Sequence, residues 1–140
     1  MAIAMLGIFS GCSKDDDDDD CELTQAGLQG SYKITGVSYK PDAVSPAEDE
    51  YATWDACQKD NLVILSANFQ GSYSDAGVQC TPPQDETATW MYNSSTNQLM
   101  FQALVVNFTG DVENFSCSGM TVSITGSTPG EVTKITFAKQ

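Results

Sequence analysis

MTVSIT, at Met120–Thr125, is the stretch that decides the fold class of this chain. Its apolar residues alternate with polar ones, which is the pattern of a strand that buries one face and exposes the other. The segment VTKITFAK at Val132–Lys139 follows after turn residues at Ser127–Gly130. Two short segments joined by such a turn predict a pair of antiparallel strands at the C-terminus.

Six further segments predict strands, because short alternating or apolar runs are separated by turn residues and show little helical periodicity. They are Gly30–Tyr39, Asn61–Ala67, Ser72–Val78, Thr87–Tyr92, Gln98–Phe108 and Val112–Cys117. Turns are predicted at Asn93–Asn97 and at Gly110-Asp111. Residues 40–60 predict a long loop, or a short helix around Glu48–Cys57.

Eight short strands with hairpin-length turns predict an all-β domain, either an up-and-down barrel or a sandwich. Closure into a barrel removes the exposed strand edges that such segments otherwise present. We therefore expect an eight-stranded antiparallel up-and-down β-barrel over residues 25–140.

The N-terminus predicts export. Residues 1–11, MAIAMLGIFSG, are apolar and uncharged but too short to span a bilayer, which needs about 20 residues. They fit a secretory signal peptide, and the apolar stretch begins so close to Met1 that we expect a truncated start. Phe9-Ser10-Gly11-Cys12 resembles a bacterial lipobox, with small residues before the cysteine. The resemblance implies acylation of Cys12; the alternatives are an ordinary signal peptide or an apolar terminus without a targeting role, each with an unmodified cysteine.

Residues 12–24 then predict a lipid-anchored acidic spacer. Asp15–Asp20 carry six adjacent like charges, which repel one another and stay solvated. The run is similar to that of lipoproteins of the Bacteroidetes phylum, in which acids after the lipidated cysteine act as an export signal. That similarity implies an outer-membrane protein exposed at the cell surface, whereas a plain spacer would leave periplasmic retention open.

The cysteine count agrees with an exported protein. Five cysteines occur, at positions 12, 21, 57, 80 and 117, and four remain if Cys12 carries lipid. An even number in an exported chain predicts two disulfides, with three possible connectivities. In an up-and-down barrel Cys57 and Cys80 lie at one end and Cys21 and Cys117 at the other. The barrel therefore favours the pairs Cys57–Cys80 and Cys21–Cys117.

Composition excludes several classes of function. The net charge is −13, with six lysines, no arginine and no histidine. Such a chain is repelled by phosphate backbones and anionic headgroups, so nucleic acid is not an expected partner and membrane attachment must be covalent or hydrophobic. Without histidine, the commonest general base and zinc ligand are missing.

Three local motifs carry a family resemblance over residues 25–138. LQGSY at Leu28–Tyr32, CQKDN at Cys57–Asn61 and FQGSY at Phe69–Tyr73, with Cys80 to follow, resemble the lipocalin-like lipoprotein domains of Bacteroidetes. The resemblance implies a lipid-anchored barrel whose interior holds a small apolar ligand.

Large apolar side chains could line such an interior. They are Trp54, Trp90, Met91, Tyr92, Met100 and Phe101, and the alternative for each is an ordinary place in the core. A second hypothesis is a surface module that contacts a protein or glycan through the loop Pro41–Trp54. Its aromatic residues Tyr51 and Trp54 suit such a contact, unless they fold back onto the barrel.

An enzyme would need paired carboxylates, and the pairs that the chain offers are Asp55 with Asp60 and Asp85 with Glu86. Adjacent loop acids do not promise two carboxyls facing one another across a cleft. The cluster Glu48–Glu50 lacks the alternating spacing of calcium loops. We therefore expect no enzymatic activity, no cofactor and no bound metal.

Overall fold

The computed structural model describes residues 21–140. The predicted signal peptide, Cys12 and the spacer up to residue 20 lie outside the described residues. The strands, in chain order, are β1 Gly30–Lys40, β2 Glu48–Asp49, β3 Leu62–Leu65, β4 Gln70–Ser74, β5 Glu86–Asn93, β6 Gln98–Gln102, β7 Asn107–Ser116, β8 Gly119–Thr125 and β9 Val132–Lys139. A 3-10 turn at Tyr51–Thr53 and a short helix, α1, at Ala56–Lys59 lie between β2 and β3.

The strands form a closed antiparallel barrel. Each strand from β3 to β9 pairs with the next, and β1 pairs with both β3 and β9. The closing pair extends from Tyr32 opposite Lys139 to Lys40 opposite Val132, with an irregularity between Ile34 and Gly36. The predicted eight-stranded up-and-down barrel is thus confirmed. One additional strand, β2, was not predicted because it is only two residues long. It pairs with β1 at Ser38 and Tyr39.

The connections gather at two ends of the barrel. The end that we call the loop end carries residues 41–61, 75–85, 103–106 and 126–131. The opposite end, called the N-terminal end, carries residues 21–29 and the turns at 66–69, 94–97 and 117–118. Both predicted disulfides are present, Cys57–Cys80 at the loop end and Cys21–Cys117 at the N-terminal end.

Inward-facing side chains fill the barrel. Aromatic rings cross it in a chain from Tyr32 through Phe137 and Phe108 to Phe101, with centroids 6.4, 5.7 and 5.6 Å apart. At the N-terminal end, Leu28 is fully buried and its carbonyl accepts a hydrogen bond from the Tyr32 hydroxyl at 2.8 Å. Barrels of eight strands either fill their interior with side chains or hold one small ligand. Here every strand of the barrel contributes buried apolar side chains to one continuous cluster. The interior is therefore a packed core.

One predicted boundary was wrong. Instead of a single strand at Gln98–Phe108, β6 ends at Gln102, and β7 begins at Asn107 and continues through the predicted turn at Gly110-Asp111. The actual turn is apolar, and the Ala103 N–H donates to the Val106 carbonyl at 3.1 Å. Gly110 lies within the sheet, where β8 approaches it closely. A Cβ at this position would stand 2.6 Å from the carbonyl oxygen of Ser123, so only glycine allows this close approach.

A second boundary also differs. The strand predicted at Ser72–Val78 is β4, which ends at Ser74. Asp75 is buried, and its carboxylate accepts hydrogen bonds from the backbone of Cys80 at 3.1 Å and of Gln84 at 2.9 Å. These bonds fold residues 75–85 into a loop, so the backbone cannot continue in the sheet. The short helix considered around Glu48–Cys57 does not form there: this stretch contains β2 and the 3-10 turn, and α1 begins only at Ala56, after a capping box at Asp55.

Candidate functional site

The side chains predicted to line a ligand cavity do not converge on one. Trp90 and Phe101 point inward but are only 1% and 0% exposed, within the packed core. The Trp90 indole N–H donates to the Ser66 carbonyl at 2.8 Å, which places that group at the N-terminal end. Tyr92 is half-buried at the same end, and its hydroxyl donates to Asn97 Oδ1 at 2.9 Å.

Met100 and Trp54 lie elsewhere. Met100 lies between the buried Leu99 and Phe101, so strand alternation turns it to the outer face, where it pairs with the exposed Met91. Trp54 lies at the loop end, and its ring centroid is 5.5 Å from that of Tyr51. The alternation was visible in the sequence, and applying it strictly would have excluded Met91 and Met100 from the interior.

The aromatic residues of the loop Pro41–Trp54 fold back onto the barrel. Tyr51 and Trp54 are partly buried and pack against the core. Lys59 Nζ lies over the Tyr51 ring, 5.2 Å from its centroid, and forms a cation–π contact with it. These two side chains help to cover the loop end rather than project from it.

Two shallow, open depressions lie on the barrel wall close to the loop end. The first, of about 320 Å³, lies along β6 and β7 and is lined by Phe101, Gln102, Ala103, Asn107, Phe108 and Thr109. The second, of about 360 Å³, lies along β4 and β5 and is lined by Ser72, Tyr73, Ser74, Asp85, Glu86 and Thr87. Phe101 and Phe108 are only 0% and 6% exposed, so the accessible surface of the first depression comes mainly from its other lining residues.

Exposed aliphatic side chains concentrate at the loop end. Within residues 21–140, Val44 and Leu104 are 92% and 94% exposed, and Val78 and Val105 are 61% and 54% exposed. These four side chains, which we call the loop-end aliphatics, lie on three of the four loops at that end. Phe69 at the N-terminal end and Met91 on the wall are the other large apolar side chains exposed in this part of the chain.

Carboxylates hold the backbone beneath each loop-end aliphatic. The N–H of Val44 donates to Asp42 Oδ1 at 2.8 Å, and that of Val78 donates to Asp60 Oδ2 at 2.7 Å. These charge-assisted bonds are stronger than those between neutral groups.

The third such carboxylate belongs to Glu86, which faces inward because it lies opposite the buried Tyr73. It accepts hydrogen bonds from the backbone N–H groups of Leu104 and Val105, each at 2.6 Å. The two aliphatic side chains therefore project from a turn whose backbone is fixed. Sequence reasoning missed this site because the carboxylate lies 18 residues before the turn.

Local hydrogen bonds shift the ionisation of two loop carboxyls. The pKa of Asp42 is lowered, chiefly by the backbone N–H of Ser45, which donates to its carboxylate at 2.7 Å. The pKa of Glu131 is lowered, chiefly by the backbone N–H of Thr128. Burial and the neighbouring Glu131 raise the pKa of Tyr39, whose hydroxyl donates to that carboxylate at 3.2 Å. Both carboxyls therefore stabilise their turns in the ionised form.

The charge of the described residues is concentrated at the loop end. Residues 21–140 contain 13 acidic residues and five lysines, a net charge of −8. The four loops of the loop end contain nine of those acids and only one lysine, Lys59, so their own net charge is also −8. The rest of the described chain carries four acids and four lysines and is neutral.

The carboxylates considered for catalysis have structural partners. Asp55 caps α1, and Asp60 holds the Val78 backbone. Asp85 accepts hydrogen bonds from the Ser74 hydroxyl at 3.3 Å and from the backbone of Asp75 at 2.9 Å.

A buried polar group lies nearby, where Asn61 Nδ2 donates to the Tyr73 hydroxyl at 3.1 Å and to Gln84 Oε1 at 3.2 Å. Within residues 21–140, no three cysteine, aspartate or glutamate side chains are grouped to hold a metal ion. No helix in this part of the chain has both the length and the apolar character to cross a bilayer.

The fold and the loop end together define a class of protein: a closed, side-chain-filled antiparallel barrel with one acidic end that exposes aliphatic residues. No match to this chain was found among protein-family models, curated proteins or solved structures.

Proposed function

We propose that this chain is a non-enzymatic, membrane-tethered surface module, anchored in the outer membrane by a lipid on Cys12 and contacting a partner through its loop end. One observation carries the proposal: the barrel interior is packed, while four aliphatic side chains project into solvent from loops at a single end. Exposed apolar side chains concentrated at one end of a domain are candidates for an interaction surface.

The orientation of the barrel supports a tether of this kind. Cys21 and residues 22–29 lie at the N-terminal end, and Cys21 is bonded to Cys117 there. A lipid attached upstream of Cys21 would hold the N-terminal end toward the membrane. The loop end would then face outward, where a partner in solution or on another cell can reach it.

Intact mass of the protein purified from its native membrane tests the tether. We expect cleavage before Cys12, added acyl chains and a gain of about 4 Da on reduction of two disulfides. Protease digestion of intact cells should remove the domain if it is surface-exposed. Retention of Met1 without acylation would overturn the tether, and protection of the domain in intact cells would overturn its surface location.

A second candidate function is the binding of a small apolar ligand, and the depression along β6 and β7 favours it. Its volume of about 320 Å³ suits a small molecule, although the two phenylalanines among its lining residues, Phe101 and Phe108, are buried. Native mass spectrometry distinguishes the two candidates. A co-purified small molecule that is lost from an Ala103→Trp variant would support ligand binding, whereas an unliganded mass supports the interaction module.

A further inference from the structure

We propose that the loop end docks a cationic segment of another protein, in which lysine or arginine residues are interspersed with aliphatic ones. The inference rests on the proposed function, because it names the partner of the same surface. Three features of the loop end favour such a partner: the exposed aliphatic side chains, the backbone beneath them and the charge around them.

The backbone of the loop-end aliphatics is already ordered before a partner binds. Each backbone N–H is fixed by a carboxylate at 2.8 Å or less, so little backbone freedom remains to be lost when a partner binds. Leu104 is 94% exposed, and no intramolecular packing is lost when a partner covers it. Burial of such side chains against another apolar surface supplies a hydrophobic contribution to binding.

The carboxylates around them select the sign of the partner's charge. The loop end carries the net charge of −8, and Glu48 and Glu50 on and beside β2 are exposed. A surface of this kind attracts cationic partners at long range and repels anionic ones. A second copy of this chain would bring two acidic ends together, and an anionic glycan or a phosphate-rich polymer would also be repelled. The occupant that satisfies both the aliphatic side chains and the charge is a cationic segment with aliphatic residues.

The test uses the full chain as purified, in nanodiscs of zwitterionic lipid when it is acylated and in solution when it is not, with empty nanodiscs or buffer as the blank. The probe is a fluorescein-labelled peptide of alternating lysine and valine, and its binding is followed by anisotropy. A glutamate–valine peptide and a lysine–serine peptide are the matched controls for charge and for apolar contact. We expect the lysine–valine peptide to bind at least about tenfold more tightly than either control, and its affinity to fall as salt rises.

Variants locate the contact. Leu104→Ser combined with Val105→Ser should weaken binding about tenfold, because two apolar contacts are lost. Met91→Ser is the control, since Met91 is 45% exposed on the wall, outside the loop end, and its replacement should leave the affinity unchanged. Circular dichroism and urea unfolding confirm that each variant retains the fold.

Equal binding of the glutamate–valine peptide, no binding of the lysine–valine peptide, or equal affinity of the double variant and the unmodified chain would overturn the inference. The lysine–serine peptide binding as tightly as the lysine–valine peptide would remove the role of the aliphatic side chains and overturn it as well. An acylated, surface-exposed protein that fails these tests retains its proposed tether, and a protein that binds the peptide without acylation loses the tether alone.

Discussion

The carboxylate of Glu86 accepts a hydrogen bond from the backbone N–H of Leu104 at 2.6 Å. Glu86 is the first residue of β5 and faces into the barrel, whereas Leu104 lies in the turn between β6 and β7 and is almost fully exposed. A single inward-facing acid therefore fixes the backbone of an outward-facing apolar turn. The relationship connects the packing of the barrel to the geometry of its loop end.

Replacement of Glu86 should loosen this turn. In Glu86→Gln the amide nitrogen cannot accept one of the two backbone hydrogen bonds, and we expect a loss of about 1–3 kcal/mol in the free energy of unfolding. Amide hydrogen exchange at Leu104 and Val105 should accelerate. Glu113→Gln is the control, because Glu113 forms a single exposed ion pair with Lys134 on the wall and should change stability by less than about 1 kcal/mol. Unchanged exchange at the turn in Glu86→Gln would contradict the role of these bonds.

The sequence was most informative where one short strand follows its own alternation. MTVSIT predicts β8 because apolar and polar residues alternate along it, as they do in a strand with one buried face. The observed strand is Gly119–Thr125. The disulfide pairing also followed from the order of the strands. In both cases the prediction needed only local pattern and topology.

The sequence was least informative where distant residues determine the backbone. The turn at residues 103–106 is apolar, and the carboxylate that holds it comes from β5. Gly110-Asp111 has the composition of a turn, but the close approach of β8 requires the glycine. The exposed aliphatic side chains of the loop end could not be separated from core residues before these contacts were known.

Truncation of inward and outward side chains on β6 should have unequal effects. Phe101 is fully buried and its ring centroid is 5.6 Å from that of Phe108, so Phe101→Ala should lower the free energy of unfolding by about 3–5 kcal/mol. Met100 lies on the outer face, and Met100→Ala should have a markedly smaller effect. Urea unfolding of the two variants measures the difference. Equal effects would contradict the assignment of the two faces.

The two disulfides should contribute differently to stability. Cys21–Cys117 spans a sequence separation of 96 and Cys57–Cys80 a separation of 23. The loop-entropy relation gives about 4.7 kcal/mol for the longer loop and about 3.4 kcal/mol for the shorter one. Serine replacement of each pair, followed by urea unfolding under non-reducing conditions, should therefore show the larger loss for the pair at positions 21 and 117. The reverse order would mean that native-state contacts at the loop end outweigh loop entropy.

Acidification should release the stabilisation from Glu131. Its pKa in the folded protein lies below the reference value of 4.5, chiefly because the backbone N–H of Thr128 donates to the carboxylate. A carboxyl with a lowered folded pKa contributes stability that is complete above the unfolded pKa and disappears as pH falls through the folded one. The stability difference between the unmodified protein and Glu131→Gln should therefore shrink from neutral pH to about pH 3. Urea unfolding across this range measures it, and a difference that stays constant would contradict the assignment.

Two glycine substitutions test the revised path of β7. A Cβ at Gly110 would stand 2.6 Å from the Ser123 carbonyl oxygen and 2.8 Å from Val122 Cγ1, both within the packed sheet. Gly110→Ala should therefore cost about 1–3 kcal/mol, the usual effect of forcing extra volume into a well-packed site. Gly36→Ala is the matched control in β1, since its nearest neighbours would lie 3.7 Å away on Thr136. That variant should be neutral or more stable by about 0.4–1 kcal/mol, because alanine restricts the unfolded chain. Urea unfolding that ranks the two variants in the opposite order would contradict the close packing of residue 110 against β8.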